Sequence, residues 1–167
     1  YLNPGSKGFQ ESLNSEIYVD KTGLIEKTNA VLDTRQKFLC VSRPRRFGKS
    51  MAANMLVAYY SKGCDSEKMF DGLTIGKSSD FKKHLNKYDV IHIDVQWFLS
   101  SCADIKSIIS YITQSVFEEL KEYYPEVLPN EVLTLADALS RIRNSTGQKF
   151  IVIIDEWDIL IRDEATN

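Results

Sequence analysis

Lys37-Phe38-Leu39-Cys40-Val41-Ser42-Arg43-Pro44-Arg45-Arg46-Phe47-Gly48-Lys49-Ser50 joins a short apolar run to a basic, glycine-bearing turn. The run from Phe38 to Val41 predicts a strand buried on both faces, as in a parallel sheet. A helix is predicted over about 49–62. Met51, Met55 and Tyr59 fall on one stripe of it at spacing four, and Gly63 suits its stop.

The pattern of strand, turn and helix repeats along the chain. Val90-Ile91-His92-Ile93-Asp94-Val95 reads as a second buried strand. A long helix is predicted over about 103–123, with Ile105, Ile108, Ile109, Ile112, Val116 and Leu120 at helical spacing and Tyr124-Pro125 at its end. Thr134 is suited to cap a shorter helix that carries Leu135, Ala138, Leu139 and Ile142 inward and closes at Gly147. Phe150-Ile151-Val152-Ile153-Ile154-Asp155 is the most hydrophobic segment and reads as a third strand. Strands alternating with helices imply right-handed crossovers and a three-layer α/β/α sandwich with a mainly parallel sheet. Ahead of the first strand, residues 17–20 read as extended and Thr22 as the cap of a helix to about Val31. Ser66 and Ser79 are suited to cap two short helices around an Asp71-Gly72 turn. Residues 1–16, polar and carrying Asn3-Pro4-Gly5 and Gly8, predict an N-terminal arm or loop.

Composition narrows the class. A length of 167 residues with 43% hydrophobic residues is enough to close one real core. No apolar run approaches the ~20 residues that span a bilayer, and no signal-peptide pattern opens the chain, so a cytoplasmic protein without a membrane partner is expected. A formal charge of −2 argues against a generally basic nucleic-acid binder while allowing a local basic site. Cys40, Cys64 and Cys102 are odd in number and far apart, which favours reduced thiols over a disulfide framework or a metal site. The chain begins at Tyr1 and stops at Asn167 just after its strongest strand, so it reads as part of something longer.

Two segments carry chemistry. A helix that opens at Gly48-Lys49-Ser50 presents unpaired amides and a partial positive charge, both suited to phosphate. Glycine lets the backbone approach an anion closely. Lys49 would reach the β- and γ-phosphates and the Ser50 hydroxyl would ligate Mg²⁺, with backbone amides over Arg45, Arg46, Phe47, Gly48, Lys49, Ser50 and Met51 around the nucleotide. The pattern G-x-x-x-x-G-K-[ST] asks for glycine where Arg43 stands. The second segment is the strand end Ile154-Asp155-Glu156, which has the form of a Walker B element. Asp155 would hold Mg²⁺, and Glu156 would polarise the attacking water as general base. Taken alone, the two acids could simply end a buried strand at the surface. Paired with the phosphate loop, they favour a nucleotide site.

Ile17-Tyr18-Val19-Asp20-Lys21-Thr22, the string Ser42-Arg43-Pro44-Arg45-Arg46-Phe47-Gly48-Lys49-Ser50 and Ile154-Asp155-Glu156-Trp157-Asp158 together resemble the bacterial AAA-ATPase-like family of predicted P-loop ATPases. The resemblance runs over nearly the whole chain, and on it Arg43 is a family trait. It implies a partial P-loop ATPase domain over 17–167, truncated after the Walker B strand, that binds ATP with Mg²⁺ and hydrolyses it in the longer protein. It implies a usual sheet order in which the strands at Phe38, Ile91 and Ile151 are first, second and third. A fourth strand, expected between the first and the third, would bring the γ-phosphate sensor. The sheet is therefore expected to leave a gap there, or to pair first and third strands directly. Relatives commonly carry a C-terminal nuclease-like domain, which would bring nucleic acid as a partner, and a homo-oligomer is compatible with the family.

Several residues have a plainer reading beside the functional one. Arg43, Arg45 and Arg46 could neutralise phosphate or engage nucleic acid or an acidic partner with hydrolysis lost, or form a solvated basic loop. Asp20, Lys21 and Thr22 could lie near the adenine, but a helix cap at Thr22 is favoured. Asp94 and Gln96 end a strand on the side where ligands bind, yet suit a surface loop equally. His92 reads as packed or half-exposed.

Overall fold

The computed structural model describes residues 1–42, 44, 46–99, 102 and 104–158. They form two compact units, one of Pro4–Lys87 and the other joining Tyr1–Asn3 to the residues from Tyr88 onward.

The Pro4–Lys87 unit is helical. It contains α1 (Lys7–Leu13), α2 (Gly23–Val31), α3 (Lys49–Tyr60), 3₁₀ turns at Glu67–Phe70 and Ile75–Lys77, and α4 (Phe81–His84). Its core is aromatic: Phe9 stacks on Phe70 at 5.1 Å, and Tyr59 meets Tyr60 and Phe70 edge-on at 4.8 and 5.6 Å. Such geometry suits the ring quadrupoles. The buried phenols are satisfied, Tyr59 donating to the Phe81 carbonyl and Tyr60 to Asn29 Oδ1, each at 2.7 Å. The arm or loop expected over residues 1–16 is corrected by α1, which buries Phe9 and runs against α3. Gly8 permits that approach, because a Cβ there would come within 2.8 Å of Asn54 Nδ2. With one buried aromatic in seven residues, α1 is too short for periodicity to reveal.

The α3 helix turns Met55, Val57, Ala58, Tyr59 and Tyr60 inward, so its second half is buried on more than one face. The last carbonyls of a helix lack intrahelical partners. Asn86 supplies them here: its Nδ2 donates to the carbonyls of Ala58 at 2.9 Å and Ser61 at 3.0 Å, and its own backbone amide donates to Tyr59 O at 2.7 Å. Its Oδ1 accepts from the Ser66 amide at 3.2 Å. Asn86 sits at φ 53, a region that asparagine enters more readily than most residues.

Further expectations in this unit are corrected. Residues 37–42 form no strand, and Phe38 is 85% exposed. An apolar run supplies side chains for a core but not the partner edge that its backbone amides and carbonyls require. Thr22 and Ser66 precede their helices without capping them: the Thr22 hydroxyl accepts from the Ile75 amide and donates to Asp20 Oδ1, and the Ser66 hydroxyl donates to the Ala58 carbonyl. Ser79 caps nothing, since Asp80 stands immediately before α4. The turn at Asp71-Gly72 forms as expected, with Gly72 at φ 80.

The second unit contains β1 (Asp89–Asp94), α5 (Gln96–Leu99), α6 (Ile105–Tyr123), α7 (Leu135–Thr146) and β2 (Phe150–Asp155). The strands pair in parallel, in register from Asp89↔Phe150 to Asp94↔Asp155. This is an α/β fold with a small parallel sheet. Tyr1–Asn3 lies antiparallel on the other edge of β1, with Asn3 N donating to Val90 O at 2.7 Å and His92 N to Tyr1 O at 2.9 Å. Among the described residues no strand pairs with the other edge of β2. Asp104 opens α6 with a capping box to Ser107, so the cap lies one residue past Ala103, which is outside the described residues. Thr134 caps α7 by accepting from the Asp137 amide at 3.2 Å, and Gly147 closes it at φ 74, both as expected.

The core of this unit joins Ile91 and Ile93 of β1 to Ile108, Ile112, Val116 and Leu120 of α6 and to Ala138 and Ile142 of α7. It covers β1 more fully than β2. Val152 and Ile154, beside Ile91 and Ile93 in register, remain 47% and 51% exposed, so β2 is not buried on both faces. Asp89 is fully buried and accepts from Asn3 Nδ2 at 2.7 Å and Tyr124 Oη at 2.8 Å. Among the described residues no helix is long and apolar enough to cross a membrane.

Replacing Asn86 with Ala strips several hydrogen bonds from the end of α3 at once. It is expected to lower the stability of the Pro4–Lys87 unit by about 2–3 kcal/mol. Urea unfolding measures this, and an unchanged midpoint would contradict the role given to Asn86.

Candidate functional site

The basic turn leads into α3 through two residues in the left-handed region, Arg46 at φ 67 and Gly48 at φ 74, on either side of the exposed Phe47. Gly48 occupies the N-cap position and brings no side chain to cover the amides that follow. The first turn of α3 contains no acid. Lys49 is half-buried and Ser50 exposed. Met51 packs at the turn, its Sδ 3.6 Å from where a Cβ on Gly48 would lie. Arg43 and Arg45, expected in the same loop, lie outside the described residues. A helix start with bare amides, a lysine and a hydroxyl is suited to an anion.

A residue from another segment reaches this turn. The Lys21 ammonium donates to the Phe47 carbonyl at 2.5 Å. It is held there through its neighbours. Asp20 Oδ1 accepts from the Thr22 amide and hydroxyl at 2.8 and 2.7 Å, and Oδ2 accepts from the Thr74 amide and hydroxyl, both at 2.8 Å. Thr22, fully buried, also accepts from the Ile75 amide at 3.1 Å. Partial burial pushes the Asp20 carboxyl up, but the bonds from Thr22 and then Thr74 outweigh it and hold it down at about 2. Sequence reasoning missed the contact of Lys21 with the turn. Lys21 and Phe47 are far apart in the chain, and no local pattern links them.

In the other unit, the C-terminal strand ends gather acids. Asp94 and Asp155 are register partners. Asp155 is buried, and its Oδ1 accepts from the Glu156 amide at 3.0 Å. Glu156 is half-buried at φ 54. Burial pushes the Asp94 carboxyl above the ordinary range and the Asp155 charge adds to it, while the hydrogen bond from the Gln96 amide offsets part. His92, two residues before Asp94 on the same strand face, has its Nε2 sealed from solvent with no partner among the described residues. Burial pushes its pKa down, against the pull of Asp155 and Asp94. It is half-buried, as expected. Among the described residues no group of three acids, histidines or cysteines could hold a metal by itself.

The two perturbed carboxylates act on stability in opposite senses. Asp20 is lowered from 3.8 to about 2, so its contribution is complete above pH 4 and is lost as the pH falls through 2. Asp20→Ala should therefore lower the melting temperature at pH 7, and the deficit should shrink between pH 4 and pH 2. Asp94 is raised, so its ionisation costs stability once the pH exceeds its folded value. Asp94→Asn keeps an acceptor for the Gln96 amide and should raise the melting temperature at pH 7, the gain fading on acidification. Thermal melts across pH check both, and shifts of the reverse sign would contradict the assignments.

A family model described as predicted AAA-ATPase matches residues 5–167. No curated protein and no solved structure matches the chain. The matched span takes in both the turn before α3 and the acidic end of β2, so the chain belongs to the AAA-ATPase-like family, and nucleotide binding is the activity that this membership carries.

Proposed function

We propose that this chain binds ATP with Mg²⁺ and, in the intact protein, hydrolyses it. The observation that carries the reading is the start of α3: Gly48 in the left-handed region, uncapped, followed by Lys49 and Ser50 in a turn without acids. The amides from Phe47 to Met51 and the Lys49 ammonium hold the phosphates, since both the helix end and the lysine favour negative charge. Ser50 and Asp155 are the residues for Mg²⁺. Magnesium takes few protein ligands and completes its shell with water and phosphate oxygens, so one hydroxyl and one carboxylate suit it better than a protein cage would. Bound Mg²⁺ would neutralise the charge that develops on the phosphates. Glu156 takes the proton of the attacking water.

Nucleic-acid or partner binding through the arginine loop has less behind it, because the net charge is −2.

A fluorescent ATP analogue titrated with Mg²⁺ tests the reading. Lys49→Ala should weaken binding by about tenfold or more, the scale of a lost charge-assisted contact. Glu156→Gln should bind as the parent does and release no phosphate. Equal affinity in the parent and Lys49→Ala would sink the proposal.

A further inference from the structure

The ammonium of Lys21 lies where electrostatics alone would not put it. A helix N-terminus carries partial positive charge, so cations are disfavoured there. Yet Lys21 Nζ sits against the residues that open α3, donating to Phe47 O and standing 2.5 Å from where a Cβ on Gly48 would lie. Lys49 follows in the first turn and Arg46 precedes it. Asp20 is fixed by four donors from Thr22 and Thr74, and that anchor holds the backbone from which Lys21 reaches the turn.

We infer that Lys21 is a second phosphate-binding cation of the loop, held ready by Asp20 and recruited by the charge of a polyphosphate. The inference rests on the nucleotide reading above and extends it to a residue outside the Gly48-Lys49-Ser50 motif. An ammonium has three donors, and the Phe47 carbonyl takes one. An arriving phosphate relieves the repulsion among Lys21, Arg46, Lys49 and the helix end, so each further phosphate charge strengthens the interaction. Lys21 therefore discriminates by phosphate number and leaves recognition of the nucleoside unchanged.

The experiment compares fluorescent analogues of ATP, ADP and AMP on the intact chain and its Lys21→Met, Lys21→Arg and Lys49→Ala variants, with a thermal melt of each. Lys21→Met should lose about tenfold in affinity for the triphosphate, less for the diphosphate and under about twofold for the monophosphate. Its melting temperature should stay within about 2 °C of the parent, and Lys21→Arg should recover most of the triphosphate affinity. Three results would overturn the inference: unchanged triphosphate binding in Lys21→Met, an equal loss for all three nucleotides, or a loss matched by a collapsed melting temperature. A parent that binds none of the nucleotides fails the nucleotide reading and this inference together. A parent that binds ATP, is weakened by Lys49→Ala and is indifferent to Lys21→Met fails this inference alone.

Discussion

Asp20 gathers four donors from two threonines, and the geometry ahead of α2 follows from that clamp. Its carboxylate would otherwise lie in solvent next to a lysine. Instead it binds the chain before α2 to the 3₁₀ turn that starts after Thr74, and the Thr22 hydroxyl extends the tie to Ile75. Hydrogen bonds to a charged group are stronger than neutral ones, which is how a largely exposed carboxylate can organise a buried neighbour such as Thr22. The far end of α3 is set in a comparable way by Asn86, which answers the helix's last carbonyls with a side-chain amide. One helix thus has its C-terminal groups satisfied by protein while Gly48 leaves its N-terminal amides without a side-chain cap. That asymmetry leaves the N-terminal end suited to an anion.

The unit from Tyr88 onward solves a different problem, that of placing carboxylates at the ends of a small sheet. Asp89, at the start of β1, is fully buried and is answered by Asn3 and Tyr124. Burial, and then the hydrogen bond to Asp89 and its charge, push the Tyr124 phenol well above its ordinary range. At the other end of the ladder Asp94 and Asp155 stand side by side, and no such pair of donors answers them both. Burial, and then the neighbouring Asp155 charge, make Asp94 hold its proton more tightly.

The elements that could be read from the sequence are those whose signal is local. The isoleucine stripe of α6, the Thr134 cap and Gly147 stop of α7, and the apolar strands ending in Asp94 and Asp155 all announce themselves within a few residues. So does the Gly48-Lys49-Ser50 start of α3. What could not be read depends on distant partners. The run from Phe38 to Val41 has strand composition, but pairing is a property of two segments, and here its side chains are exposed. Thr22 is a good capping residue on composition, yet its hydroxyl oxygen accepts from the distant Ile75 amide instead. The short α1 depends on Gly8 fitting against Asn54, and the placement of Lys21 depends on Thr74, far along the chain.

Backbone strain converges on the same residues. Five non-glycine residues among those described have positive φ, and three of them, Asn3, Asp33 and Asn86, are of the types that tolerate it. The other two are Arg46 and Glu156. For a long side chain that conformation costs on the order of 1 kcal/mol or more, and it persists only where the surroundings impose it. Neither residue is in a helix or strand interior, where packing could explain it. One precedes Gly48 in the turn that opens α3, and the other directly follows Asp155 at the end of β2. Both positions fall where the chain changes direction, at the entry to α3 and at the exit from β2. Glycine would take that turn without strain, but it would carry no charge. Keeping an arginine and a glutamate there accepts a strained backbone in exchange for a charge that glycine would lack.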